Sequence, residues 1–273
     1  MGKLDGRVVI VTGAARGQGE QEARLFRAEG AEVVVADVLD DRGKAVAEEI
    51  GALYVHLDVG EEADWQAAVA AARTAYGRLD GLVNNAGILR FNTLTDTPLD
   101  EFMQVVRVNQ VGCFLGIKSV AAALTEAGGG TIVNTASYTG LTGMAAVGTY
   151  TATKHAVLGL TRVAALELAG AGIRVNAVCP GAIDTAMTNP ALLDPEPERD
   201  PERERDPERE RDAETERDRS SERLYRRLVP LGRIGRPEEV ARLALFLTSR
   251  DSSYITGQPF VIDGGWLAGV SVV

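Results

Sequence analysis

The sequence predicts an α/β protein built on one doubly wound parallel sheet flanked by helices, and three observations carry that reading. Short β-branched runs alternate with longer helical periods from Val8 to Ile262. Several of these runs are apolar from end to end, the pattern of strands covered on both faces. The first four end in polar or glycine-rich turns, which must gather at the carboxyl edge of a parallel sheet, where such sheets bind ligands.

The elements follow in order. Residues 7–12 form the first strand, and Gly13-Ala14-Ala15-Arg16-Gly17-Gln18-Gly19 turns into a helix over 20–29. A glycine-rich turn between strand and helix lets the backbone approach a pyrophosphate, and the helix start offers unpaired N–H groups and a positive dipole end. The spacing carried by Gly13, Gly17 and Gly19 is G-x-x-x-G-x-G, not the commoner G-x-G-x-x-G. Residues 32–36 are the second strand. Asp37 at its end stands 18 residues after Gly19, about where an acidic residue takes adenosine ribose hydroxyls; a plain loop or helix-cap carboxylate is the other reading. A helix over 41–50, a strand over 52–57 ending at Asp58 and Val59, a helix over 61–76 and a strand over 79–83 lead to Asn84-Asn85-Ala86-Gly87.

Residues 99–127 read as mostly helical, with Asn109 in an otherwise apolar stretch. A buried Asn needs partners, so it serves either packing or a held water. A strand over 131–136 ends at Ser137, a helix spans 149–168, and a strand over 173–178 is broken by Cys179-Pro180-Gly181, with Ile183, Asp184 and Thr185 beyond. Pro237 opens a helix running to 247, residues 259–262 are the last strand, and Asp263-Gly264-Gly265 turns into an apolar tail over 266–273.

The chemistry concentrates between Ser137 and Lys154. Tyr150 and Lys154 are four apart on the 149–168 helix and share a face, and Ser137 sits at a strand end. A phenol with a reference pKa near ~10 is a poor acid–base group at neutral pH. A nearby cation favours the phenolate, so Lys154 is expected to lower the Tyr150 pKa and fit it for proton transfer. Tyr-x-x-x-Lys by itself is a common helix-surface pair; the strand-end Ser and the glycine turn are what set this one apart.

Composition narrows the partners. The chain has 273 residues and a net charge of −10, which speaks against nucleic acid or an anionic membrane as partner. Cys113 and Cys179 match no metal or redox spacing, and His56 and His155 are too few for a histidine-rich metal site, so no metal is expected. No leader peptide and no apolar run of about 18 residues is evident, and the expectation is a cytoplasmic protein of one domain over 1–273. Residues 194–223 differ in kind: five charged hexamers with 14 acidic residues and 8 arginines and no aliphatic side chain larger than Ala213. Such a segment cannot bury apolar area to offset ordering entropy, and it reads as a charged low-complexity insertion in a surface loop.

Together the motifs Thr12-Gly13-x-x-x-Gly17-x-Gly19, Asp58, Asn84-Asn85-Ala86-Gly87, Asn109, Ser137, Tyr150-x-x-x-Lys154, Pro180-Gly181 and Asp263-Gly264-Gly265 resemble the short-chain dehydrogenase/reductase family over nearly the whole chain except 194–223. Ala36-Asp37-Val38-Leu39, His56-Leu57-Asp58-Val59 and Ser252-Ser253-Tyr254 are most similar to bacterial NAD-dependent hydroxysteroid dehydrogenases. The resemblance implies a Rossmann-type fold, a homotetramer, and alcohol–ketone interconversion with Asn109, Ser137, Tyr150 and Lys154 as the catalytic set. It implies that Gly13, Arg16, Gly17, Gln18, Gly19, Asp37, Asp58, Val59, Asn85, Ala86, Gly87, Tyr150, Lys154, Pro180, Gly181, Ile183 and Thr185 hold a nicotinamide dinucleotide. NAD is favoured by Asp37; Arg16 stands where NADP-preferring members often carry a basic residue, so the two pull in opposite directions. Gln18 departs from the usual Ile or Leu.

The substrate is expected to be a small hydrophobic alcohol or ketone, steroid-like ones included, received by Leu89, Phe91, Leu141, Met144, Met187 and Leu192, which lie in loops after strand ends, and the resemblance implies that residues 194–223 are inserted in the substrate loop that covers it. The alternatives are an NADPH-dependent 3-oxoacyl-carrier-protein reductase, disfavoured by the acidic charge, and a dinucleotide-binding sensor without catalysis, disfavoured by the intact catalytic set.

Overall fold

The computed structural model describes residues 2–188, 225 and 227–269. Leu192, the charged hexamers of residues 194–223 and the last four residues of the apolar tail lie outside them. The strands are β1 (Val8–Thr12), β2 (Glu32–Asp37), β3 (Leu53–His56), β4 (Gly81–Asn84), β5 (Gly130–Thr135), β6 (Ile173–Pro180) and β7 (Pro259–Ile262). The helices are α1 (Gly17–Ala28), α2 (Asp40–Ile50), α3 (Glu62–Tyr76), α4 (Leu99–Val106), α5 (Gly112–Glu126), α6 (Gly148–Leu168) and α7 (Pro237–Thr248).

The strands form one sheet in the order β3-β2-β1-β4-β5-β6-β7, every neighbouring pair parallel. The order reverses direction at β1 and β4, so the crevice for a ligand opens outside their carboxyl ends. Side chains alternate between two cores, as a period of two requires. Val8 and Ile10 of β1 join Trp65, Leu124 and Ile132 on one face, while Val9 and Val11 join Phe26, Val33 and Val240 on the other.

Buried amides tie the central strands to α6. Asn84 Nδ2 donates to Asn134 Oδ1 at 2.9 Å, Asn134 Nδ2 donates to Thr161 Oγ1 at 2.9 Å, and Thr161 Oγ1 donates to Val157 O at 2.8 Å. The amides of Asn84 and Asn134 are thus answered within the core by each other and by Thr161.

The structure adds to the sequence reading in its helices and at the end of β6. The helix expected over 99–127 contains a π-helical turn, Arg107–Val111, between α4 and α5, with Asn109 buried in it. The whole helical stretch Leu99–Glu126 is also 28 residues long and apolar enough to cross a membrane, which the sequence reading overlooked. Here Val105, Leu115, Val120 and Leu124 of that stretch are packed in the subunit core. β6 does not stop at Val178 but runs to Pro180, which pairs in register with Ile262; Pro lacks an N–H, and Gly181 N supplies the next bond to Ile262 O at 2.9 Å. Val157 and Leu158 of α6 are buried within the fold, while Val163 and Leu166 are exposed.

Candidate active site

Backbone geometry builds the first half of the site. Thr12 Oγ1 at the end of β1 accepts from Asn85 N and Ala86 N, both at 3.1 Å, pinning the turn after β4 against the turn after β1. Gly13 has φ +65°, and a Cβ there would lie 2.9 Å from Ala86 Cα, so only glycine lets these turns touch. A Cβ on Gly19 would come within 2.4 Å of Gly13 O and 2.5 Å of Asn85 Nδ2. Gly19 therefore brings α1 against the turn rather than facing the cleft. The N-cap of α1, Arg16, makes no side-chain cap, leaving first-turn amides for a ligand. Asp37 is held in place by Ala15 N, 2.9 Å from Oδ2, and by Leu39 N, 3.0 Å from Oδ1.

Asp58, also at the edge of the cleft, is paired within the protein. Its Oδ2 accepts from Arg107 Nη2 at 2.9 Å and its Oδ1 from Gly60 N at 2.9 Å. Burial alone would raise its pKa, but Arg107 and the Gly60 amide outweigh it and hold the carboxyl below its ordinary range.

Side chains build the second half. Ser137 follows β5, and its Oγ accepts from Thr139 N at 3.2 Å and Thr139 Oγ1 at 3.1 Å. Lys154 Nζ donates to Thr135 O at 2.7 Å and lies 5.3 Å from the centroid of the Tyr150 ring. Asn109 clamps the chain after β4: Oδ1 accepts from Ile88 N at 2.8 Å, and Nδ2 donates to Ile88 O at 2.9 Å and to Thr153 Oγ1 at 3.2 Å. Thr153 Oγ1 in turn donates to Tyr150 O at 2.8 Å, so the clamp reaches α6 one residue from Lys154.

The expectation that Lys154 lowers the Tyr150 pKa is not met. Burial pushes the Tyr150 phenol up to about 12, with the Ser137 hydrogen bond pulling the other way. Burial also pushes Lys154 down to about 8. Burial is the largest influence on both groups, and the ammonium is turned to the Thr135 carbonyl and the face of the ring.

These groups share one cleft of about 640 Å³ along the carboxyl edge. Gly13, Arg16, Gly17 and Gln18 line it from the first turn, with Asp37, Asp58 and Val59 from β2 and β3. Asn85, Ala86 and Gly87 follow from β4, Ser137, Tyr150 and Lys154 from β5 and α6, and Pro180, Gly181, Ile183 and Thr185 from β6. Leu89, Phe91, Met144 and Met187 also line it. Leu141 does not: it is exposed away from the cleft. Asn109 lines a separate cavity of about 10 Å³ with Lys154, Thr135 and Cys113. The sequence reading missed Thr139, Tyr138, Tyr225 and Trp266. Thr139 had a local signal, a hydroxyl two residues after Ser137; the three rings had none. Trp266, the first residue of the apolar tail, lines this cleft.

Comparison with known proteins agrees with this geometry. A family model described as short chain dehydrogenase matches residues 7–195, and one described as Enoyl-(Acyl carrier protein) reductase matches residues 209–267. The chain is 45% identical over 272 residues to the 3-alpha-(or 20-beta)-hydroxysteroid dehydrogenase of Mycobacterium tuberculosis, covering 99% of this chain and 93% of that one. It is 38% identical over 274 residues to the trans-4-hydroxycyclohexanecarboxylate dehydrogenase of Sinomonas cyclohexanicum, covering 96% and 93%. The crystal structure of a short-chain type dehydrogenase/reductase from Mycobacterium marinum matches with a TM-score of 0.84 at 34% identity, over 97% of each chain. The chain belongs to the short-chain dehydrogenase/reductase family, oxidoreductases that act on alcohols.

Proposed function

We propose that this protein is an NAD(H)-dependent oxidoreductase that interconverts a secondary alcohol and a ketone on a hydrophobic substrate. The observation that carries the reading is that Ser137, Tyr150 and Lys154 share one cleft with the Gly13 turn and the Asp37 carboxylate. The cleft fits a dinucleotide: a glycine cradle that a Cβ would fill, uncapped helix amides and a fixed carboxylate follow one another along it. The turn amides would take the pyrophosphate, Asp37 the adenosine ribose, Asp58 and Val59 the adenine side, and Thr185 the carboxamide. When bound, the nicotinamide supplies or accepts the hydride.

The protein's own groups handle the proton. The Ser137 Oγ lone pairs are both engaged by Thr139, so its one hydrogen serves Tyr150 in the resting site and the substrate oxygen when substrate is bound. Tyr150, kept protonated by burial, donates to that oxygen in ketone reduction and must lose its proton first in alcohol oxidation. Alcohol oxidation should therefore accelerate with rising pH. Lys154 stays cationic below about pH 8 and orients the ribose side of the cofactor. The cavity of about 10 Å³ beside Lys154 and Asn109 has room for one water, enough to relay a proton away from the ammonium.

The relatives named for a hydroxysteroid and for a hydroxycyclohexane acid favour a ring-bearing apolar substrate. Exposed Phe114, Val163 and Leu166 on α5 and α6 support assembly as a homotetramer, which sedimentation at micromolar concentration checks. The function is tested by NAD reduction with a panel of secondary alcohols in wild type and Tyr150→Phe. The variant should lose about 10³-fold in kcat while NADH binding persists. Near-normal turnover in Tyr150→Phe would end this reading.

A further inference from the structure

The Asp263-Gly264-Gly265 turn takes no part in the chemistry above, yet its geometry aims a side chain. Asp263 Oδ1 accepts from Gly265 N and Oδ2 from Leu267 N, each at 2.8 Å. Gly264 has φ +66°, and a Cβ there would lie 2.5 Å from Val229 Cγ1. The turn thus needs glycine both for its backbone angle and for the close approach of Val229. The chain it releases carries Trp266 onto Tyr138: the rings stack with centroids 4.6 Å apart and planes 21° from parallel. Tyr225 meets Trp266 edge-on at 6.2 Å and 75°. Tyr138 is fixed in turn, its hydroxyl donating to Met144 Sδ at 2.8 Å. All three rings line the cleft that holds Ser137 and Tyr150.

We propose that Trp266, stacked on Tyr138, is a specificity-determining side chain: the pair forms a rigid aromatic wall that selects ring alcohols and ketones over linear ones of equal carbon number. The proposal rests on the oxidoreductase reading above. A flat aromatic surface makes broad contact with the face of a rigid ring, and such a ring has no torsions left to freeze. A linear chain of the same carbon number must order several rotors to cover the same wall, and each costs binding energy. Because the Trp266 ring is gripped on its face by Tyr138 and at an edge by Tyr225, the wall is formed before substrate arrives.

The test compares decahydro-2-naphthol with decan-2-ol as substrates for wild type, Trp266→Ala and Trp266→Phe. Trp266→Ala should lose about tenfold in kcat/KM on the ring alcohol, carried by KM, and less than about twofold on the linear one; Trp266→Phe should stay within about threefold on both. Equal losses on both alcohols, or full retention in Trp266→Ala, would overturn the proposal. A binding readout stands apart from turnover and from the folding of Trp266→Ala. The chain has two tryptophans, and Trp65 is fully buried with its Nε1 bonded to Val59 O at 2.9 Å. Ligand-dependent emission should therefore come from Trp266. Quenching of the wild type by 2-decalone, stronger than by decan-2-one and lost in Trp266→Phe, supports the wall; equal quenching, or quenching that persists in Trp266→Phe, rejects it. If the wild type oxidises neither alcohol, the oxidoreductase reading fails while the quenching result still decides the wall.

Discussion

The two halves of the cleft are made of different material. Around β1, β2 and β4 the walls are largely main chain: the Gly13 turn, the amides that hold Asp37, and the Asn85–Ala86 peptides pinned by Thr12. Around β5, β6 and the turn after β7 they are side chains: Ser137 set by Thr139, Tyr150 and Lys154 on α6, and Trp266 on Tyr138. A backbone wall recognises what every dinucleotide shares, phosphate and ribose. A side-chain wall can be exchanged residue by residue, so it is where one member of a family differs from the next.

That contrast can be broken by mutation, most sharply in the first half. Gly13→Ala must place a Cβ at positive φ and against Ala86 Cα, and should weaken NADH binding about thirtyfold or more in a fluorescence titration. A wild-type affinity would mean the turn is not the cofactor wall. Asp37→Ala should lower kcat/KM for NAD about tenfold and leave NADP equal or better, because the carboxylate that repels a 2′-phosphate is gone. A wild type that already prefers NADP would show that Arg16 governs the choice. In the second half, Thr139→Val removes one of two hydrogen bonds that fix Ser137 and should reduce kcat about fivefold with KM nearly unchanged, while Thr139→Ser restores it. A change in KM alone would make Thr139 part of the substrate surface instead.

The smallest effect on the site is expected from Glu22, which lies on α1 outside the cleft. It is fully buried, neither carboxyl oxygen has a protein partner, and burial raises its pKa from 4.5 to about 8. The folded state therefore keeps a proton that the unfolded chain releases near 4.5, so the associated stability is complete below that pH and is lost as pH rises to about 8. Glu22→Gln should raise Tm by a few degrees at pH 8, raise it little at pH 4.5, and leave kcat unchanged. A pH-independent gain in Tm would assign the effect to packing.

Legibility in the sequence followed the same division. Gly13, Gly17 and Asp37 announce themselves because turn geometry is local and few residue types satisfy it. The sheet was legible for a related reason: buried parallel strands need apolar β-branched runs such as Val33-Val34-Val35. Trp266 and Tyr138 meet across the chain through packing that no local pattern encodes, so the aromatic wall was invisible. The Asn109 clamp was half visible: an Asn in an apolar stretch demands partners, but nothing local says they are Ile88 and Thr153. The Lys154–Tyr150 spacing was legible, but the burial that raises the phenol was not, because burial depth belongs to the assembled fold.

The π-helical turn at Arg107–Val111 carries a consequence for how this protein can change its length. A π turn holds one more residue per closed hydrogen-bonded ring than an α turn, so the helix contains, in effect, a stored insertion at Asn109. Removing one residue there would let the helix close into regular α geometry. The extra residue is taken up within the turn itself, so α4 and α5 would keep their faces toward the core and Leu115 and Val120 would stay buried, while the Asn109 clamp would be lost. Deleting a residue from the regular turns of α4 or α5 would instead rotate everything that follows by roughly 100°. Loss of one residue along this helix should therefore be accommodated at 107–111 and excluded from 99–106 and 112–126.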